Sequence, residues 1–388
     1  MYKVLTSESV TEGHPDKVCD QISDAVLDAH LEQDPFSRVA CESFITNGAL
    51  FIGGEITSNA KIDVKEVAKN TIKKIGYTDE ESGFNPDKAI IMTNIIKQSE
   101  DIAMGVIKEK ICAGDQGMVY GYATDETQNY MPYTIHTAHK LARRLAYVRK
   151  QGIIQGLYPD GKTQVSAVYD ENGNVQKIDS IVIAAQHHRD IDLSKLRYEI
   201  IEKVIFEEID KNLLKSDTKI HINATGFFAK GGPSADSGLT GRKIIVDTYG
   251  GIARHGGGAF SGKDPSKADR SAAYLARYIA KNVVAAGLSK KCEVEMSFVI
   301  GKEGAQTIYI NTFGTERVSR ECIEYAVKNT FDLTIDSAIN NFNMRTPIYL
   351  ELASYGHFGR MEERFAWERT DKVSKLKNQV KTYIQNYI

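Results

Sequence analysis

The sequence predicts an α+β protein of two or three domains, built as layers of mixed strands and helices. Three observations predict it. The chain has 388 residues, at roughly 100–200 residues per domain. Apolar residues recur at helical and at strand spacing in turn along its length. Several strand-like runs lie close enough to pair as hairpins, which argues against one doubly wound sheet.

The elements follow in order. Val18, Ile22, Ala25, Val26 and Ala29 recur at helical spacing over 18–31. Strand-like runs follow at 38–46, 49–57, 88–97 and 118–123. Helices are predicted near 63–75 and 134–150, strands at 164–170 and 178–186, and a helix near 194–212. The last third repeats the theme, with a strand at 243–249, a helix at 267–286, strands at 293–300 and 306–313, and a helix at 318–331. Polar, glycine-containing stretches at 98–117 and 223–241 mark the division points.

Composition bounds the function. Hydrophobic residues make up 42% and charged residues 26%, ordinary values for a chain that buries real cores. A net charge of -2 argues against a general nucleic-acid or membrane-surface role, so any anion site must be a local gathering of Lys and Arg. Cys19, Cys41, Cys112, Cys292 and Cys322 are far apart and never at CxxC spacing. That pattern indicates neither a disulfide framework nor a zinc site and fits a reducing, cytoplasmic setting. The first residues lack the apolar run of a signal peptide, and no stretch approaches the roughly 20 apolar residues of a membrane span.

Eleven of the 31 glycines fall between Gly226 and Gly262. Glycine at that density lets backbone approach a ligand or turn sharply, although a flexible surface loop would read the same. Within it, Gly257 to Lys263 fits GxxxxGK, but Asp264 and Pro265 follow where a P-loop needs Ser or Thr. Asp264 is expected to cap a helix that opens at Pro265. Lys263 and Lys267 then stand at a helix end that favours negative charge. A bound phosphate would reverse that conflict, and Asp269 could hold a magnesium ion bridging the phosphates. The alternative is two solvated lysines offset by Asp269. Taken alone, Arg242 and Lys243 read more readily as a solvated strand end, and Asp236 as ordinary turn chemistry.

Three stretches together resemble the S-adenosylmethionine synthetase family. Gly13-His14-Pro15-Asp16-Lys17 resembles its first signature, and Gly114-Asp115-Gln116-Gly117 with Gly121-Tyr122-Ala123-Thr124 its second. The run from Gly238 to Ser271 resembles its long third signature. Shorter matches are Gly53-Gly54-Glu55-Ile56, Lys97-Gln98-Ser99 and Tyr355-Gly356-His357-Phe358-Gly359-Arg360. The likeness runs to about residue 372.

The resemblance implies three similar α/β domains related by pseudo-threefold symmetry, over 1–100, 112–228 and 230–372, with a mobile gate at 98–111. It implies a homodimer or homotetramer with active sites shared between subunits. The implied reaction joins the sulfur of L-methionine to C5′ of ATP and then hydrolyses tripolyphosphate to phosphate and pyrophosphate. A thioether sulfur carries no proton, so attack needs no general base. The demand is positioning and charge stabilisation of the leaving polyphosphate, and the chain offers many cations and no nucleophile motif.

By that resemblance, His14 donates near the O5′–phosphate bridge, while Arg242, Lys243, Lys263 and Lys162 contact the polyphosphate. Asp160, Phe227, Phe228, Asp236 and Ala259 border the nucleotide. Glu55, Gln98, Asp115, Asp236 and Lys267 contact methionine. Asp16 and Asp269 each hold one of two Mg2+ ions per site, and Glu42 holds one K+ per subunit. On its own a His before Pro reads more readily as a helix cap, and Asp16 as favourable first-turn charge. The chain departs from the family at Ala224, where Pro is common, and at Phe227, where Arg is usual, which puts one ATP contact in doubt. His187-His188 reads as a strand end without a metal role. A tripolyphosphate hydrolase could lose Glu55 or Asp115, and a non-catalytic nucleotide-binding subunit should lose His14, the carboxylates or several lysines; all are present.

Overall fold

A computed structural model describes residues 2–97 and 111–387. Gln98 and the gate expected at 98–111, except its last residue, lie outside the described residues.

Three sheets carry the fold. The first joins β1 (Lys3–Val10), β6 (Leu157–Tyr169), β7 (Val175–His187) and β8 (Lys219–Ile222) in the order β1-β6-β7-β8. The second joins β2 (Arg38–Thr46), β3 (Ala49–Thr57), β4 (Ile90–Ile96) and the short β9 (Gly238–Leu239) in the order β4-β3-β2-β9. The third is β11 (Thr307–Asn311), β10 (Lys291–Phe298) and β5 (Gly117–Thr124). Each sheet takes strands from more than one of the sequence stretches, because β1 pairs with β6, β9 with β2, and β10 with β5.

Helices α1 (Pro15–Gln33) and α2 (Val64–Ile75) back the second sheet, and α3 (Tyr133–Lys150) backs the first. After α4 (Leu193–Ile200) the predicted helix passes through a five-residue π segment, Ile201–Ile205, and ends at Glu208. A helical turn, α5 (Ile244–Asp247), stands where the apolar run Ile244-Ile245-Val246 predicted a strand. A short apolar run does not distinguish a buried turn from a strand by periodicity. Here Asp247 N–H donates to the Lys243 carbonyl at 2.9 Å.

The helix expected from Pro265 begins three residues later, as α6 (Ala268–Ala285), with Lys267 as its N-cap. Asp264 is instead turned back, accepting from Ser266 N at 2.9 Å and from Val39 N at 2.6 Å. The chain closes with α7 (Arg320–Lys328), α8 (Ile335–Asn341) and α9 (Val373–Tyr387). Sequence periodicity missed β1, β8, β9, α8 and α9.

Helix α6 is the mast of the larger core. Arg270 and Arg277 are fully buried on it. Arg270 forks onto Asp24 of α1 at 2.9 and 2.7 Å, and Arg277 onto Glu368 at 3.1 and 3.0 Å. A Cβ on Gly121 would lie 2.0 Å from the Ala276 backbone, so only glycine lets β5 pack this closely on α6. A second core lies under the first sheet, around Leu141, Leu145, Val165, Ile181, Ile183 and Val204. No helix among the described residues is long and apolar enough to cross a membrane.

Candidate active site

The first group of site residues gathers where α1 begins. His14 is the N-cap of α1, and its Nδ1 accepts from Asp16 N–H at 3.2 Å. That bond leaves the ring proton on Nε2. Burial, then Lys243 and Lys162, push the imidazole down to about 3, so the ring is neutral at physiological pH. The cap reading and the site reading of His14 therefore describe one geometry: capping fixes the tautomer, and the free Nε2–H is a donor.

Asp16 is nearly fully buried. Its Oδ1 accepts from Leu239 N at 3.0 Å and its Oδ2 from Lys243 Nζ at 2.5 Å, with Arg242 Nε at 3.7 Å. Burial alone would raise this carboxyl, but Lys243 and the Leu239 amide outweigh it and hold Asp16 below its usual range. Gly238 permits the approach, because a Cβ there would lie 2.1 Å from the Pro15 carbonyl oxygen.

A buried ion cluster that sequence reasoning missed ties these parts together. Lys17 Nζ donates to Asp20 at 2.9 Å and to Asp247 of α5. Asp20 in turn accepts from Gly241 N at 2.8 Å. Burial would lower Lys17, but the two carboxylates hold it above its usual range. Burial raises Asp247 to about 7 despite Lys17. The element carrying His14 and Asp16 is thus clamped on both sides of Arg242 and Lys243. The only sequence signal was the position of Lys17 within the first signature.

On the rim of this group stand Asp160 and Lys162 of β6. Asp160 is buried, accepts from Gly232 N at 2.9 Å, and is pushed up by burial to about 6. Lys162 is exposed and pairs in register with Val10 on β1. Asp236 is exposed after the Gly232–Ser234 turn. His187 anchors the 227–228 segment: Phe228 N donates to His187 Nε2 at 3.0 Å, and His187 N to the Phe228 carbonyl at 3.1 Å. Phe227 is exposed and leans on the His187 ring at 5.7 Å. His187 is thus a structural latch.

The second group lies around the start of α6. A cavity of about 190 Å³ is lined by Asp115, Lys263, Lys267 and Asp269, together with Arg38, which sequence reasoning had not singled out. Lys263 pairs with Asp269, and Lys267 with Asp264. Lys263 also bridges Ala40 of β2, whose partner on β3 is Glu55. Glu55 and Glu42 are both exposed on one face of the second sheet. Ala259 packs beside Gly241, where a Cβ would lie 2.7 Å from its own. Among the described residues no hydrogen bond or ion pair joins the two groups.

Each group offers one carboxylate partnered by a lysine, the buried Asp16 with Lys243 and the partly exposed Asp269 with Lys263. Among the described residues no three His, Cys, Asp or Glu side chains gather as a metal cage. Mg2+ commonly takes one or two protein carboxylates plus substrate phosphates and water. The donor set fits a metal that arrives with a phosphorylated ligand, and does not fit a structural zinc.

Three family models match this chain: the S-adenosylmethionine synthetase N-terminal domain over residues 2–100, the central domain over 110–228, and the C-terminal domain over 230–369. An S-adenosylmethionine synthase of Desulforudis audaxviator (strain MP104C) is 51% identical over 386 residues, covering 96% of this chain and 98% of that protein. The chain belongs to the S-adenosylmethionine synthetase family.

Proposed function

We propose that this chain makes S-adenosylmethionine from ATP and L-methionine, then hydrolyses the bound tripolyphosphate to phosphate and pyrophosphate. The observation that carries this reading is the pairing of two site carboxylates with lysines at a glycine-rich approach, Asp16 with Lys243 and Asp269 with Lys263. Such pairs can exchange partners, each lysine turning to a phosphate oxygen and each carboxylate to a cation.

The sulfur lone pair attacks C5′, the C5′–O5′ bond breaks, and its electron pair leaves on the tripolyphosphate. No proton leaves the sulfur. His14 Nε2–H points its hydrogen bond at the bridging oxygen as charge develops there. Arg242, Lys243, Lys263 and Lys162 hold the polyphosphate, with Asp160, Asp236, Phe228, Ala259 and the unusual Phe227 bordering the nucleoside. Glu55 and Asp236 match the ammonium of methionine, Lys267 its carboxylate, and Gln98 completes the pocket. Asp115 faces the developing sulfonium, where a carboxylate stabilises the transition state more than the ground state. Asp16 and Asp269 would each hold one Mg2+, and Glu42 one K+. Bound Mg2+ supplies charge neutralisation on the phosphates.

A second copy of the chain completes the site in this reading. Leu239, Phe44, Phe51 and Met92 stand in register across all four strands of the second sheet, 37%, 40%, 40% and 52% exposed. Glu42 and Glu55 share that face. An apolar row flanked by two site carboxylates suits a self-complementary C2 interface and a homodimer, or a homotetramer built from it. The stretches 1–100, 112–228 and 230–372 are the domains, trading strands at their edges. Five buried free cysteines accord with a cytoplasmic setting.

The test is mass spectrometry of protein incubated with ATP, methionine, Mg2+ and K+, against a methionine-free control. Methionine-dependent S-adenosylmethionine with equal phosphate and pyrophosphate is expected. Phosphate release from tripolyphosphate with no adenosylated product would instead support a hydrolase, and no turnover a binding subunit.

A further inference from the structure

A separate cavity of about 390 Å³ lies between α3 and the 355–362 loop, lined in part by His136, His139, Arg143, Tyr355, Arg360 and Glu362. None of these residues belongs to the two groups described above. Its polar wall is made almost wholly of donors. Arg360 donates to the carbonyls of Gly356, Glu351 and Ser354 at 2.9, 3.0 and 2.7 Å. Arg143 stacks on the Tyr355 ring at 5.5 Å and makes no hydrogen bond or ion pair among the described residues. Lys140, also on the wall, is engaged by Glu208 at 3.2 Å. His136 Nδ1 accepts from Asn129 Nδ2 at 3.1 Å, so its Nε2 carries the proton and donates. The Nε2 of His139 is buried without a partner. Glu362 is the one carboxylate among the lining residues.

The two guanidinium groups repel each other across the wall; Glu362 and Glu351 offset only part of this, and no ion pair bridges the two among the described residues. Burial and then Arg143 push Arg360 down to about 10. Burial, with Lys140 and Arg143, holds His136 neutral at about 4, so it serves only as a hydrogen-bond donor. A ligand that relieves this arrangement must be anionic and rich in acceptors, and guanidinium forks match phosphate oxygens.

We infer that this cavity is a second anion site, binding a phosphate-class oxyanion between Arg143 and Arg360 with His136 as a third donor. The site is wired to β1 and the turn that leads from it to His14. His139 Nδ1 meets Ser9 Oγ at 2.8 Å, and Glu12 N donates to Tyr355 Oη at 3.3 Å, both just upstream of His14. From the same loop, His357 N donates to the Asp247 carbonyl at 2.9 Å. An anion held here steadies the loop that supports both His14 and the turn bearing Lys243.

Isothermal titration of inorganic phosphate, and separately of pyrophosphate, into the full-length protein without substrates tests this independently of the adenosyl transfer. Comparing wild type with Arg143→Ala, Arg143→Lys and Glu362→Gln isolates the cavity, because the catalytic groups are the same in all four. At least one of the two anions should fill one more site per subunit in wild type than in Arg143→Ala, with affinity there reduced about tenfold or more. Arg143→Lys should retain part of the binding, and Glu362→Gln should tighten it. Arg143→Ala should keep the wild-type melting temperature in anion-free buffer, since its side chain is exposed. Equal stoichiometry and affinity for both anions in wild type and Arg143→Ala would overturn the assignment.

Discussion

His14 shows how one residue serves two roles. Its Nδ1 is consumed by the helix cap, and burial keeps the ring neutral, so the Nε2 proton is available throughout the physiological range. Lys263 is different, half-exposed and paired only with Asp269. Pairs of that exposure contribute little to stability, whereas loss of a cation stabilising a leaving group costs about 10²–10³ in rate. Lys263→Ala should therefore lose kcat by that order with an unchanged melting temperature. Asp160 carries the pH signature. Its carboxyl is about 6 in the fold against an ordinary 3.8. The folded state therefore keeps a proton that the unfolded chain gives up. Stability linked to this group is full below pH 3.8 and is lost as pH rises through 6. Relative to wild type, Asp160→Asn should gain up to about 3 kcal/mol between pH 4 and pH 7, read from denaturant midpoints at each pH. A difference that stays flat with pH would contradict the burial argument.

At the scale of elements, α1, α5 and β9 form one corner of the candidate site, held by the buried Lys17, Asp20 and Asp247 cluster. Removing one partner of a buried pair leaves uncompensated charge. Lys17→Met should cost about 3–5 kcal/mol in denaturant unfolding, far more than any change at Lys263. This corner was also where the sequence was hardest to read. Strands β2 and β3 were legible to the residue because alternate side chains point into a core, Val39, Cys41, Ser43 and Ile45 on one and Leu50 and Ile52 on the other. The run 244–246 is too short to carry a period. Strand β1, KVLTSESV, is too polar to announce itself, since its partner β6 supplies much of its burial. Lys267 capping α6, in place of Asp264, depends on Asp264 being drawn to Val39 across 225 residues, which local capping rules do not see. The site residues were legible mainly through the family's signatures, because Glu42 and Glu55 look like ordinary strand residues until the sheet places them on one exposed face.

At the scale of the molecule, the site residues fall into two groups that share no direct bond among the described residues, beside an open apolar sheet face. Charge placed in the apolar row should prevent burial of that face. Phe44→Glu combined with Phe51→Glu is expected to shift the protein to monomer in sedimentation velocity and to abolish product formation, with the fold intact by circular dichroism. In the proposed dimer, one catalytic centre would draw its first group from one copy and its second from another. Mixing two inactive variants, His14→Ala and Lys263→Ala, after dissociation and reassociation tests it most directly. Shared sites predict recovery of about a quarter of wild-type turnover, because half of the dimers are mixed and each mixed dimer carries one intact centre. No recovery, with mixed dimers verified by mass spectrometry, would rule out shared centres and place both groups in a centre within one chain.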